Sequence, residues 1–415
     1  MSVKVLQAAF AFSDVHEVPV GRLALEGNVA LFEPDPAFAG TRLALNPTWS
    51  AAASGLIRPR DARAFRGLHG VFADSLPDAW GEILLERRLR AAGVGLTGLT
   101  SLDRLALVGR RGRGALVYAP ANAGLEVDVE LDLDGLAIAA SAVLEGGDSD
   151  VLAELERLGG SSGGARPKVQ VALDDRGHAR SDEGPLPPGY TSWIVKFRGS
   201  MDSFADIGPL EAAYAEAARR AGVELPRTRL IGTVRGPGYF ATERFDRGPG
   251  GARFHMLSIA AMLDADWSIP ALDYDGLLEA VRLATRDERA VLQLFRRMVF
   301  NVAAVNRDDH LKQHALLSGP DGRWRLSPAY DLTLAGGPGN EHYLAVNGQG
   351  RDITRRDILA VARRQSVAIG RANSIVDEVL ATVESLPSIA SEFGVTRATR
   401  AEIVAATGKQ ISLLR

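Results

Sequence analysis

Nine consecutive residues, Asn306-Arg307-Asp308-Asp309-His310-Leu311-Lys312-Gln313-His314, bring together two carboxylates, two amides, a lysine and two of the chain's seven histidines. Moving a phosphoryl group onto a hydroxyl calls for a carboxylate that accepts the hydroxyl proton. In a common arrangement, an amide residue five positions later holds a metal. Asp308 and Gln313 have that spacing. A second carboxylate, Asp331, lies in Ser327-Pro328-Ala329-Tyr330-Asp331-Leu332, after an expected short strand pair. That is where a phosphate-bridging magnesium ion needs its ligand. His310 and His314, four apart, have the spacing of a zinc-chelating pair. The glutamate of a metalloprotease helix is missing, however, and the segment reads as loop.

Two further segments have the chemistry to hold a nucleotide. Gly159-Gly160-Ser161-Ser162-Gly163-Gly164-Ala165-Arg166-Pro167-Lys168 runs straight into the strand-like VQVAL. Its glycines let backbone N–H groups converge on an anion, and a lysine follows. The Gly-Lys-Ser/Thr ending of a Walker loop is absent. Lys196 ends the aromatic, β-branched run YTSWIVKF, where a kinase fold carries its phosphate-pairing lysine, and Glu211 on the next expected helix could be its carboxylate partner. Glu243-Arg244-Phe245-Asp246-Arg247 closes a further strand, at the position of a hinge between two lobes.

The whole-chain properties agree with this chemistry and exclude others. At 415 residues, 46% hydrophobic and 24% charged, the chain suits a folded protein of two or three domains. It has no cysteine, hence no disulfide, thiolate metal site or thiol nucleophile. A net charge of -3 gives no overall attraction to nucleic acid or anionic membrane. No stretch reaches the ~18 apolar residues of a membrane span, and the first residues read as a β-strand and not as a signal peptide, so a cytoplasmic protein is expected. Of 48 basic residues only Lys4, Lys168, Lys196, Lys312 and Lys409 are lysine, and three of these fall in the segments above.

Three regions should position these groups. Residues 1–120 read as short strands and turns around one helix that begins after Asp74-Ser75-Leu76-Pro77-Asp78 and closes at Gly93, with RLALVGRRGRGALVYAP as two strands about an Arg/Gly turn. Residues 121–250 read as a strand and a helix, then a β-rich lobe with one helix from Pro209. Residues 251–415 read as a helical lobe built on a buried helix, ERAVLQLFRRMVFNVAAVN.

Together these segments resemble the HipA family of bacterial serine/threonine kinases, the toxins of type II toxin–antitoxin modules. DSLPDAWGEILLERRL and ALVGRRGRGALVYAP resemble its N-terminal subdomain, and SSGGARPK its phosphate loop. WIVKF resembles its nucleotide-lysine strand, ERFDR its hinge, NRDDHLKQ and SPAYD its catalytic loop and metal motif, and AVNGQGRDITRRDIL its C-terminal helical region. The resemblance implies an α+β, two-lobed protein-kinase-like fold, with a β-rich N-terminal subdomain and an all-helical C-terminal lobe. It implies ATP and Mg2+ as cofactors, with Asp308 as base, His310 and Lys312 completing the loop, and Asp331 and Gln313 at the metal. Ser161, Ser162, Gly163, Gly164, Ala165, Arg166 and Lys168 would cradle phosphates that Lys196 binds. Glu243 and Phe245 would meet adenine, with Asp246 beside them. Ser161 would be the autophosphorylation site, with Ser162 its rival. The implied partners are a helix-turn-helix antitoxin dimer, operator DNA through that antitoxin, and a protein substrate such as an aminoacyl-tRNA synthetase. The chain departs from the family's His-x-Lys-Asn pattern at Gln313. That departure leaves open a weakly active, kinase-like subunit kept for antitoxin binding and repression. A phosphotransferase acting on a small molecule is the third alternative.

Overall fold

The computed structural model describes residues 3–49, 55–91, 98–121, 131–145, 152–159, 164–199, 202–234, 236–270 and 272–415. Alternating burial and turn residues give three antiparallel strands first, β1 (Val5–Ala11), β2 (Glu17–Glu26) and β3 (Val29–Pro34). A short helix α1 (Gly70–Ala73), then α2 (Ala79–Ala91) and α3 (Ser101–Val108), precede β4 (Leu116–Ala119), which closes a sheet of order β3-β2-β1-β4. α3 corrects the expectation of a strand. Thr100 and Asp103 form a reciprocal capping box, and Leu102, Leu105, Ala106 and Val108 form the buried helical face. The expected end at Gly93 lies outside the described residues.

Two helices, α4 (Leu133–Leu144) and α5 (Leu152–Gly159), lead to a five-stranded antiparallel sheet of order β6-β5-β7-β9-β8. Its strands are β5 (Lys168–Leu173), β6 (Ala179–Ser181), β7 (Thr191–Lys196), β8 (Thr228–Ile231) and β9 (Tyr239–Glu243), with helix α6 (Ile207–Arg220) between β7 and β8. The β5–β7 register pairs Lys168 with Lys196, so their side chains leave one face of the sheet side by side.

The C-terminal lobe is helical and also carries a small sheet. β10 (His255–Ser258), β11 (Ala315–Ser318) and β12 (Trp324–Leu326) form it, with α7 (Ile259–Leu263), α8 (Tyr274–Thr285) and α9 (Glu288–Ala303) between β10 and β11. The lobe finishes with α10 (Arg355–Arg364), α11 (Ile369–Glu384), α12 (Leu386–Glu392) and α13 (Arg397–Leu414). α9 is buried over most of its circumference, as its sequence predicts.

Burial does not follow the three sheets. One apolar core joins the first sheet to the C-terminal lobe, with Leu6, Phe10 and Phe72 continuous with Leu257, Phe295, Val299 and Ile375. A second core sets Trp80 and Leu84 of α2 against Leu155, Val169, Val171 and Trp193 of the middle lobe. The N-terminal subdomain therefore packs on both lobes, and its segment 74–80 crosses from one core to the other. A cleft of about 1210 Å³ opens between the lobes.

Candidate active site

The upper wall of the cleft is made by β5, β7 and α6. Lys196 is 6% exposed, and its Nζ lies 3.2 Å from Glu211 Oε1 and in direct contact with Asp331 Oδ1. Glu211 is buried on α6 and also accepts from Arg166 Nη1 at 2.6 Å. Arg166 is held further by Asp202 at 3.3 Å and the Phe197 carbonyl. Burial alone would make Lys196 give up its proton. The charges of Asp331 and Glu211 win, and keep it protonated above its ordinary range. Lys168, its cross-strand neighbour, is instead pushed down to about 8 by burial, with Lys196 and Arg166 adding to the effect and Asp331 opposing it. At Gly164, φ is +87° and an added Cβ would lie 2.7 Å from Lys168 Nζ, so this end of the glycine-rich segment closes directly over that ammonium. Ser161, Ser162 and Gly163 lie outside the described residues. Gly164, Ala165 and Arg166 line the cleft.

The lower wall comes from the loop after α9 and the turn after β12. Chain direction reverses sharply there, with Val305 at φ +57° and Asp331 at φ +53°. A β-branched residue in that region is strained, and the parallel bridge between Asn306 and Ala335 holds it. Asp331 is kept well below the ordinary carboxylate range, because Lys196 and Lys168 outweigh its burial. Asp308 is half-exposed and moves the other way. Burial and then the charge of Asp331 push it up to about 6, while a hydrogen bond from the Gln313 amide works against that rise. His310 Nε2 lies 3.7 Å from Asp308 Oδ1, and its ring packs on Trp267 with centroids 4.6 Å apart. Burial holds this imidazole neutral, down to about 4.

Two segment matches decide the kinship. The family model for the HipA N-terminal domain matches residues 14–119, and that for the HipA-like C-terminal domain matches residues 160–386. The chain belongs to the HipA family. Among solved structures, HipA from the Shewanella oneidensis MR-1 HipA–HipB–operator DNA complex superposes with a TM-score of 0.71 over 98% of this chain and 96% of that one, at 17% identity. That similarity establishes a two-lobed, kinase-like HipA fold. A Sinorhizobium fredii protein named "Putative kinase Y4dM" is 32% identical over 160 residues, 34% of this chain and 37% of that protein. The match thus spans little more than a third of that relative. The Helicobacter pylori proinflammatory kinase CtkA superposes at a TM-score of only 0.38.

Within this HipA fold the side chains of the Glu243–Arg247 segment divide their contacts. The Glu243 carboxylate turns outward to Arg227, with both contacts at 2.7 Å. Phe245 lines the cleft with its ring 5.5 Å from that of Tyr330. The Asp246 carboxylate, 4% exposed, is enclosed by Arg244, Arg247 and the Gly114 N–H, and ties the hinge to the Arg/Gly turn of the N-terminal subdomain. Glu243 and Asp246 thus have their carboxylates occupied by arginines, while the Phe245 ring lines the cleft.

Three residues with no individual role assigned from the sequence shape this HipA site. Arg113 comes from the turn, lines the cleft, donates to the Asp74 carbonyl at 2.8 Å and lies 4.0 Å from Asp78. Asp78, just before α2, accepts from Lys312 Nζ at 2.6 Å and from the Gly164 N–H at 3.0 Å. Asp309 points away from the cleft. It accepts from Tyr274 Oη at 2.7 Å and the Tyr343 N–H at 2.9 Å, and lies 2.8 Å from His342 Nδ1. This buried clamp leaves Asp308, one position earlier, facing the cleft. Asp309→Asn should cost about 2–3 kcal/mol, because the amide cannot accept all three contacts. Urea denaturation with unchanged slope would measure that loss.

Proposed function

We propose that this HipA-family chain is an ATP- and magnesium-dependent serine/threonine protein kinase, the toxin of a type II toxin–antitoxin module whose partner is a HipB-like helix-turn-helix antitoxin dimer on operator DNA. The observation that carries this reading is buried Lys196, fixed between Glu211 and Asp331 and facing half-exposed Asp308 in one cleft. With its carboxyl near 6, Asp308 is mostly ionised at neutral pH and can take the proton of an acceptor hydroxyl. Lys196, Lys168 and Arg166 present fixed positive charge where phosphates would lie.

The donor set fits a hard cation shared with phosphates. Asp331 and Gln313 offer oxygen ligands, and among the described residues no cluster of three or more His, Cys, Asp or Glu could hold a metal by itself. That is the usual condition for magnesium, which takes one or two carboxylates and completes its shell from water and phosphate. Asp331, with Gln313, would hold it, and the bound metal–nucleotide would supply the phosphoryl group and neutralise its charge. The Gln313 amide also donates to Asp308, so one side chain would serve both base and metal. Gln313→Asn, shorter by a methylene, should lower the half-saturating magnesium concentration roughly tenfold, read by titrating MgCl2 into a phosphorylation assay.

The resemblance implies autophosphorylation at Ser161, which lies outside the described residues. A phosphate of about -1.5 to -2 charge there would compete with ATP for the same cations. Labelled ATP tests the whole reading. Incorporation by the wild type alone, absent in Asp308→Ala and mapped to Ser161, is expected. Antitoxin binding without turnover at any metal concentration would replace it with the non-catalytic reading. Transfer to a metabolite would indicate a small-molecule phosphotransferase.

A further inference from the structure

The segment Asp74-Ser75-Leu76-Pro77-Asp78-Ala79-Trp80 touches both walls of the cleft, at Gly164 and Lys168 on one side and at Ser258 and Lys312 on the other, without lying in either catalytic lobe. At one end, Asp74 accepts from the Ser258 N–H at 2.7 Å and the Ser258 hydroxyl at 2.9 Å, which seats it on the start of the C-terminal lobe. At the other, the Trp80 indole N–H donates to the Lys168 carbonyl at 3.0 Å, and its backbone N–H to the Gly164 carbonyl at 3.2 Å. Between them, the two oxygens of Asp78 are divided: Oδ1 takes the Lys312 ammonium and Oδ2 takes the Gly164 N–H. Although Asp78 is largely buried, Arg113 and Lys312 hold it down to about 2, so the carboxylate is charged at any working pH.

We infer that Asp78 is a positioning residue of the N-terminal subdomain, joining the end of the phosphate loop at Gly164 to the catalytic loop at Lys312. The argument is geometric. Gly164 and Lys312 belong to opposite lobes, and one carboxylate holds both by short, charge-assisted contacts. Lys312 is fixed from three sides: its Nζ by Asp78, its carbonyl by the Tyr330 hydroxyl at 2.7 Å, and its ammonium by the Trp267 ring face at 5.6 Å. Removing Asp78 frees the ammonium and the Gly164 N–H together, whereas the cations that face phosphate directly, Lys196 and Arg166, keep their own carboxylates. The loss should therefore appear in nucleotide capture more than in the chemical step.

The kinetic part of the test rests on the kinase reading above, and the exchange part does not. In nucleotide-free, metal-free protein, Asp78→Asn is expected to speed hydrogen exchange of the Gly164 amide at least ~10-fold, with α9 amides unchanged. In the phosphorylation assay, the same variant should raise KM for ATP ~10- to 100-fold while kcat changes less than ~3-fold, and Asp78→Glu should recover part of the KM. If Asp78→Asn does not fold, Lys312→Met removes the contact from the other side and is read by exchange at Gly164. Unchanged exchange at Gly164 overturns the inference. So does faster exchange accompanied by a wild-type KM. If the wild type turns over no ATP, the kinase reading falls, and exchange still decides the role of Asp78.

Discussion

Asp308→Asn should lower kcat for phosphoryl transfer ~10²- to 10⁴-fold, the range typical of removing a positioned general base. Asparagine keeps the shape of the side chain and cannot take a proton. Its neighbours are held independently, since Asp309 is clamped by Tyr274, His342 and Tyr343, and Asp331 by Lys196. Loss of the Asp308 charge should therefore leave the loop in place and nucleotide binding within about threefold of wild type. Single-turnover phosphorylation with saturating ATP and magnesium measures the first quantity, and calorimetric titration of nucleotide the second. A variant with more than a tenth of wild-type kcat would remove Asp308 from the role of base.

Lys196→Arg retains the charge and should still reduce kcat/KM for ATP about 10²- to 10³-fold, the loss seen when a pre-organised electrostatic contact is misplaced. The ammonium sits in a buried pocket beside Lys168 that already holds a guanidinium, Arg166, with contacts to Glu211, Asp202 and Phe197. A planar fork cannot reproduce the single-point contacts that one compact ammonium makes to Glu211 and Asp331 together, and its extra bulk would push on Lys168 across the strand pair. Full activity in this variant would show that charge alone matters here. It would also undo the link between the scarcity of lysine in the chain and its presence at the three contact points, Lys168, Lys196 and Lys312.

How far the sequence could be read depends on the range of the contact. The strands β1 to β3, the buried α9 and the pairing of Lys196 with Glu211 all follow from local pattern or from a known spatial logic, and the structure has them. At α3 local pattern points to a strand, because Leu105-Ala106-Leu107-Val108 is as apolar as one. The capping box that makes it a helix is a pair of weak local signals, Thr100 and Asp103, that composition hides. Asp78 and Arg113 were beyond reach for another reason. Asp78 meets Lys312 across 234 positions, and an aspartate before a helix looks like an ordinary helix start. The Arg/Gly turn is legible as a turn but its partners are not, since its carbonyls at Gly112 and Gly114 accept from Arg247 and Arg253, more than 130 positions away.

The division of the N-terminal subdomain between two cores has a mechanical consequence. Leu76 belongs to the core shared with the C-terminal lobe, and Trp80 to the core of the middle lobe. Any rigid swing that widens the cleft must therefore carry α2 with one body and the first sheet with the other. In such a swing the bending would fall on Pro77, Asp78 and Ala79, and the subdomain would act as a strap between the lobes. The amplitude of such an opening would then be limited by how far the three residues between Leu76 and Trp80 can extend, and not by the Glu243–Arg247 segment alone.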